Sequence, residues 1–178
     1  MRQLGPTDLK RLHRDWGKRT TGRLALLLDG VSSPFNVGTI VRTAAAFRVE
    51  HLYLAGGATS PASAKAGKTA LGTERFLSWS VFDRGPDAAD AAREDGFTVV
   101  GLELADHAVP LFQLSVGPNV CIAIGHEEHG LTVGTLAACD AVAFIPQLGR
   151  VGSLNVATAA AVAIYELRRR DWSGPSLQ

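Results

Sequence analysis

Residues 144–170, FIPQLGRVGSLNVATAAAVAIYELRRR, decide how the rest of this chain is read. An apolar strand over 141–145 stops at Pro146, and a loop carrying Gly149 and Gly152 follows. Ser153, Leu154 and Asn155 then open an Ala-rich helix. Ser and Asn favour helix starts because their side chains accept from first-turn N–H groups that lack an intrahelical partner. Val156, Ala159, Ala160, Ala163, Ile164 and Leu167 recur at the helical period, and the small residues among them allow close packing against other backbone. A glycine-bearing loop between a strand and a buried helix, with polar groups at the helix mouth, is a place to hold a ligand. The same junction also serves α/β proteins as a plain capped core helix.

The composition bounds the rest. At 178 residues, 46% apolar and 20% charged, the chain suits one globular domain with a sizeable core. No apolar run is long enough to span a bilayer, and the polar N-terminus does not read as a signal peptide. Cys121 and Cys139 lie in apolar surroundings without ligand spacing, so both read as buried thiols of a reducing, cytoplasmic compartment. The net charge is only +1, but it is unevenly spread. Arg2, Lys10, Arg11, Arg14, Lys18, Arg19 and Arg23 crowd the N-terminal arm against Asp8 and Asp15, and Arg168, Arg169 and Arg170 close the last helix. Such clusters meet a polyanion or are simply solvated surface.

Outward from the C-terminal stretch, the pattern predicts a basic arm over 1–23, helical from Thr7, a domain over 24–170 and a tail over 171–178. Apolar strands are expected at 23–29, 51–55, 77–82, 97–102, 120–125 and 141–145. Helices are expected at 37–47, 86–95 and 133–139, with 56–70 a loop holding one helical turn. Strands alternating with helices argue an α/β fold, a mostly parallel sheet with helices on both faces. There is no internal repeat and no dividing linker.

Three loops, each after a strand, carry unusual polar residues, and ligands of parallel sheets sit beyond the carboxyl ends of strands. The first, Ser33-Pro34-Phe35-Asn36-Val37-Gly38, leads into a helix carrying Arg42, a lone cation among small and apolar residues. Such an arginine is costly to bury without a partner, and an ion pair or surface position is its ordinary explanation. The second is Gly125-His126-Glu127-Glu128-His129-Gly130. Its histidines are three apart rather than four and sit in a turn, so the helical zinc signature is not met and no metal is expected. The third is the 145–155 loop already described. No GxGxxG follows a strand, and there is neither a phosphate loop nor a nucleophile elbow.

Taken in order, Asn36-Val37-Gly38 with Arg42, then Ile124-Gly125, Glu127 and Gly130-Leu131, then Ile145-Pro146 and Ser153-Leu154-Asn155-Val156 resemble the three motifs of the SpoU/TrmH RNA ribose 2′-O-methyltransferases. These belong to the SPOUT superfamily, and the resemblance covers roughly residues 24–168. The segment Lys68-Thr69-Ala70-Leu71-Gly72 with Phe76, Leu77 and Trp79 resembles the branch that methylates a guanosine ribose in the tRNA D-loop.

The resemblance implies a sheet whose C-terminal segment threads a loop into a deep trefoil knot, which no general rule of sequence would suggest. It implies S-adenosylmethionine as cofactor, held by the positions of Leu102, Glu103, Gly125, Ile145 and Leu154, and a homodimer whose site is completed across the interface. Asn36, Arg42, Glu127, Ser153 and Asn155 match the catalytic and structural polar positions. Glu127 is expected to anchor N–H groups of its own turn, and Asn36 to hold Arg42 or the ribose. RNA contacts are expected from Arg11, Arg14, Lys18, Arg19 and Arg168. Relatives acting on ribosomal RNA often carry a separate N-terminal RNA-binding domain; the short arm here therefore favours tRNA over rRNA. The alternatives are a ribosomal RNA or wobble-nucleotide substrate, and a binding module without catalysis. A generic nucleotide-binding α/β protein is hard to sustain without a phosphate loop.

Overall fold

The structure, a computed structural model, describes residues 2–173. Helix α1 (Pro6–Lys18) precedes β1 (Leu24–Asp29), α2 (Pro34–Ala46), β2 (His51–Ala55), α3 (Ala64–Ala70), β3 (Ser78–Val81) and α4 (Gly85–Glu94). Then come β4 (Thr98–Leu102), β5 (Val109–Pro110), β6 (Val120–Ile124), α5 (Val133–Ala137), β7 (Ala141–Phe144) and α6 (Val156–Ser173). The strands form one seven-stranded sheet in the order β3-β2-β1-β6-β4-β7-β5. Every pairing is parallel.

All six residues of β1 are buried, because it lies between β2 and β6 with helices above and below. Leu24, Leu26 and Leu28 face a core with Ile40 and Val41 of α2 and Ala160 and Ile164 of α6. Ala25 and Leu27 face a second core with Ala88, Ala89 and Ala92 of α4. Helices therefore cover both faces, as the alternating pattern predicted. The chain runs outward through β1, β2 and β3, then crosses to β4 on the other side, leaving a slot that β6 fills. β7 in turn enters between β4 and β5. Among the described residues no helix is long and apolar enough to cross a membrane.

Several expectations shift. α1 starts at Pro6 behind Gly5, so Thr7 lies inside the helix rather than capping it. α2 starts at Pro34, with the Ser33 side chain accepting from the Asn36 N–H, which leaves Asn36 inside the first turn instead of at the cap. The expected turn in 56–70 is the helix α3, and the two-residue β5 was not expected at all. α6 continues through Asp171 and Trp172, so the tail does not begin at 171; residues 174–178 lie outside the described part. Cys121 is fully buried but Cys139 only partly, and burial pushes the Cys139 thiol up to about 11.

The arginines at the end of α6 are the clearest correction. Arg168, expected on the RNA-facing surface, is 4% exposed. Its guanidinium donates to the carbonyls of Gly22 at 2.7 Å, Arg48 at 2.8 Å and Phe47 at 2.9 Å. Arg170 donates to the carbonyls of Leu111 and Leu114, and Arg169 is paired with Glu166. Arg168 and Arg170 thus close the helix onto three connections, while Arg169 stays exposed beside Glu166 of its own helix.

Candidate active site

A cavity of about 660 Å³ opens at the carboxyl ends of β4, β6 and β7, where a parallel sheet is expected to bind its ligand. Leu102 and Glu103 border it after β4, the 124–130 turn after β6, and Ile145 with the 147–154 loop after β7. All five residues expected at a cofactor, Leu102, Glu103, Gly125, Ile145 and Leu154, line this one cavity, as do Glu127 and Ser153.

The turn after β6 is shaped by its backbone. His126 and Gly130 exchange two backbone hydrogen bonds of 2.9 Å, folding the turn back on itself. That brings the backbone of Gly130 and Leu131 against Gly125 so closely that any Cβ at 125 would overlap them. The Glu103 carboxylate accepts the Leu131 N–H at 3.1 Å, tying the end of β4 to the same turn. On its far side Asp29, at the end of β1 and 1% exposed, accepts from the Thr132 N–H at 3.0 Å and its hydroxyl at 2.8 Å. Sequence reasoning missed Asp29; its signal is a carboxylate ending an otherwise apolar strand.

The three loops meet through one chain of polar side chains. Glu127 Oε1 accepts from the Ser33 N–H and from Asn36 Nδ2, both at 3.0 Å, and Oε2 from the Ser32 N–H at 3.3 Å. Asn36 Oδ1 accepts from Asn155 Nδ2 at 3.0 Å. Asn155 Oδ1 caps α6 by accepting from Ala157 N at 2.9 Å and Thr158 N at 3.2 Å. The direction of this chain is dictated by chemistry. An ionised carboxylate only accepts, so Asn36 presents its amide nitrogen to Glu127, its oxygen to Asn155, and Asn155 is left with oxygen for the helix. Burial pushes the Glu127 carboxyl upward, but the Asn36 amide and the backbone N–H groups outweigh it and hold it below the usual value.

This geometry widens one expectation and narrows another. Glu127 anchors N–H groups of the 32–36 loop as well as its own backbone N–H. Asn36 holds Glu127 and Asn155 rather than Arg42. Arg42 is exposed on α2, outside the cavity lining, and makes no hydrogen bond or ion pair with a described residue. Ser153 lies exposed on the cavity rim.

His126 and His129 stack with ring centroids 4.9 Å apart and an angle of 15° between planes. His126 Nδ1 accepts from the Glu128 N–H at 3.1 Å, which leaves Nε2 to meet the Ser32 hydroxyl at 3.4 Å. Among the described residues no three His, Cys, Asp or Glu side chains converge as a metal would require. Arg11, Arg14 and Lys18 of α1 and Arg19 just beyond it are all exposed; Arg11, Arg14 and Lys18 share one helical face, opposite the exposed Leu9, Leu12 and Trp16.

Comparison with known proteins agrees with this construction. A family model for the SpoU rRNA Methylase family matches residues 23–165. The 23S rRNA (guanosine(2553)-2'-O)-methyltransferase RlmP of Bacillus subtilis is 31% identical over 88% of this chain and 62% of its own. The tRNA (guanosine(18)-2'-O)-methyltransferase of Escherichia coli is 30% identical over 94% of this chain and 72% of its own. The chain thus spans about three-fifths of the length of the Bacillus relative. The crystal structure of the SpoU methyltransferase AviRb from Streptomyces viridochromogenes, in complex with the cofactor AdoMet, superposes with a TM-score of 0.76. It is 31% identical, over 86% of this chain and 62% of that one. Matched over most of its length, including the three loops that build the cavity, the chain belongs to the SpoU rRNA methylase family.

Proposed function

We propose that this protein transfers a methyl group from S-adenosylmethionine to a ribose 2′-hydroxyl in RNA. The observation that carries the reading is the Glu127–Asn36–Asn155 chain, which locks three loops around one cavity at the carboxyl edge of the sheet. The relatives named for 2′-O-methylation and the AdoMet-bound neighbour support it.

The cavity fits the cofactor in size and chemistry: it mixes apolar walls at Leu102, Ile145 and Leu154 with backbone groups of a turn that admits no side chain at Gly125. Bound there, S-adenosylmethionine supplies an electrophilic methyl on a sulfonium. The ribose oxygen forms the new C–O bond as the C–S bond breaks and the hydroxyl proton departs, so alignment of the two reactants provides much of the acceleration. Arg42 is always protonated and is not a base. Its guanidinium clamps a neighbouring phosphate and stabilises charge developing on the ribose oxygen, and the proton passes to solvent. Ser153, on the cavity rim, orients substrate. Asn36, Glu127 and Asn155 hold the loops at fixed spacing and act as positioning residues.

A C-terminal trefoil knot is supported by the entry of β7 between β4 and β5 and by the return of α6 onto α2. A homodimer, with the site completed across the interface, is supported by the exposed apolar side chains Val162 and Tyr165 on α6. Cytoplasmic residence is supported by the free thiols Cys121 and Cys139 and accords with the proposed RNA substrate. A tRNA substrate is supported by the 68–79 segment and by the longer match to the tRNA enzyme. Transfer of labelled methyl from S-adenosylmethionine to separate pools of unmodified tRNA and ribosomal RNA tests this. Label in tRNA alone supports the full reading, label in ribosomal RNA alone moves the substrate, and cofactor binding without transfer leaves a non-catalytic module.

A further inference from the structure

Phe35 is 67% exposed, one residue before the Asn36 of the loop-locking chain, and no part of the catalytic reading uses it. With α2 starting at Pro34, Phe35 and Arg42 are separated by seven positions, which is two helical turns, so both lie on one face. Thr39 and Ala46 complete that stripe, and the opposite stripe of Val37, Ile40, Val41 and Ala44 is buried in the core. The rise between Phe35 and Arg42 is about 10 Å, the reach from a base to the phosphate of a neighbouring nucleotide.

The surroundings suit a polyanion. α3 is pressed onto α2 at Gly38, where an added Cβ would come within 2.7 Å of Thr69, and it exposes Lys65 and Lys68. The following turn, Thr73–Phe76, also packs on α2 and exposes Phe76 with the Arg75 guanidinium 4.8 Å from its ring centre. Across α2, α3 and this turn Arg42, Lys65, Lys68 and Arg75 face a single acid, Glu74. An exposed aromatic among cations matches the way single-stranded nucleic acid is held, by base stacking and phosphate contact together.

We propose that Phe35 is the stacking platform for an unpaired base of the RNA substrate, holding the target strand so that Arg42 reaches the phosphate beside the acceptor ribose. The proposal rests on the methyltransferase reading and narrows its substrate to a nucleotide in a loop or single strand. A paired base has both faces covered by its neighbours and offers none to Phe35.

The test measures binding of a fluorescein-labelled unstructured RNA and of a blunt RNA duplex to wild-type protein, Phe35→Ala and Phe35→Trp, with S-adenosylmethionine affinity and sedimentation as controls. Stacking of one base on an aromatic corresponds to about a 5- to 150-fold loss of affinity on truncation. That loss is expected for Phe35→Ala on the unstructured RNA alone, with Phe35→Trp near wild type and cofactor affinity unchanged. Equal losses on both RNAs, or none, overturn the proposal. So does a change of Phe35→Ala in oligomeric state with RNA affinity retained, which would make Phe35 a contact between copies. Wild-type protein that methylates RNA while Phe35→Ala binds equally well refutes the platform alone. Wild-type protein that neither binds nor methylates any RNA refutes the function itself.

Discussion

Removing the Glu127 carboxylate is the sharpest perturbation of the site. It takes away the acceptor for the Ser33 N–H, the Asn36 amide and the Ser32 N–H at once. The side chain is 19% exposed, so water reaches part of the vacated site and the losses do not simply add. Hydrogen bonds to a charged group contribute about 1.5–3 kcal/mol each, and with partial rescue by water Glu127→Ala should cost about 2–4 kcal/mol. For a domain of this size that corresponds to a fall in Tm of about 4–16 °C. The informative assay is a double-mutant cycle on denaturant stability with Asn36→Ala, because the two residues share a bond and should couple by about 1–3 kcal/mol. Losses that add to within about 0.5 kcal/mol would refute the linked chain, whatever the size of each single loss.

Further outcomes follow from the same geometry. Because Glu127 is held below its ordinary pKa, its stabilising contribution is complete above the unfolded value of about 4.3 and is lost as pH falls through the lower folded value. The stability gap between wild type and Glu127→Gln should therefore narrow in urea titrations from about pH 6 to pH 3; a gap that widens on acidification contradicts the sign. Arg42→Ala should lower kcat by about 100- to 1000-fold while calorimetry shows S-adenosylmethionine affinity intact, and parallel loss of both would make Arg42 structural. Gly125→Ala should weaken cofactor binding more than tenfold, about 1.4 kcal/mol or more, since its Cβ must displace the turn. Replacing Arg11, Arg14 and Lys18 by Gln should flatten the dependence of RNA affinity on salt by about 2–3 units of logarithmic slope. Arg168→Met should instead lower Tm and leave that slope unchanged.

What the sequence revealed, and what it hid, has a common physical cause. β1 and β6 were legible because strands covered on both faces read as unbroken apolar runs. The three loops were legible because each put polar residues directly after such a run. The start of α2 was misplaced although Ser33-Pro34 carried a cap followed by a first-turn proline. Arg168 was misread because charge beside charge looks solvated, while its three carbonyl partners lie more than a hundred positions away. Separation in sequence also hid the roles of Glu127 and Asn36, whose bond spans 91 positions. Local pattern reports which residues are buried, but only the fold reports which distant polar groups find one another.

The central claim, methylation of a ribose hydroxyl, is tested most directly by alkaline digestion of RNA after transfer of labelled methyl from S-adenosylmethionine. Alkali cleaves RNA through the 2′-hydroxyl, so a methylated ribose protects its own linkage. Label is expected in alkali-stable dinucleotides, appearing about 100- to 1000-fold more slowly when Arg42 is replaced by Ala. Label released as mononucleotides would place the methyl on a base and refute ribose methylation.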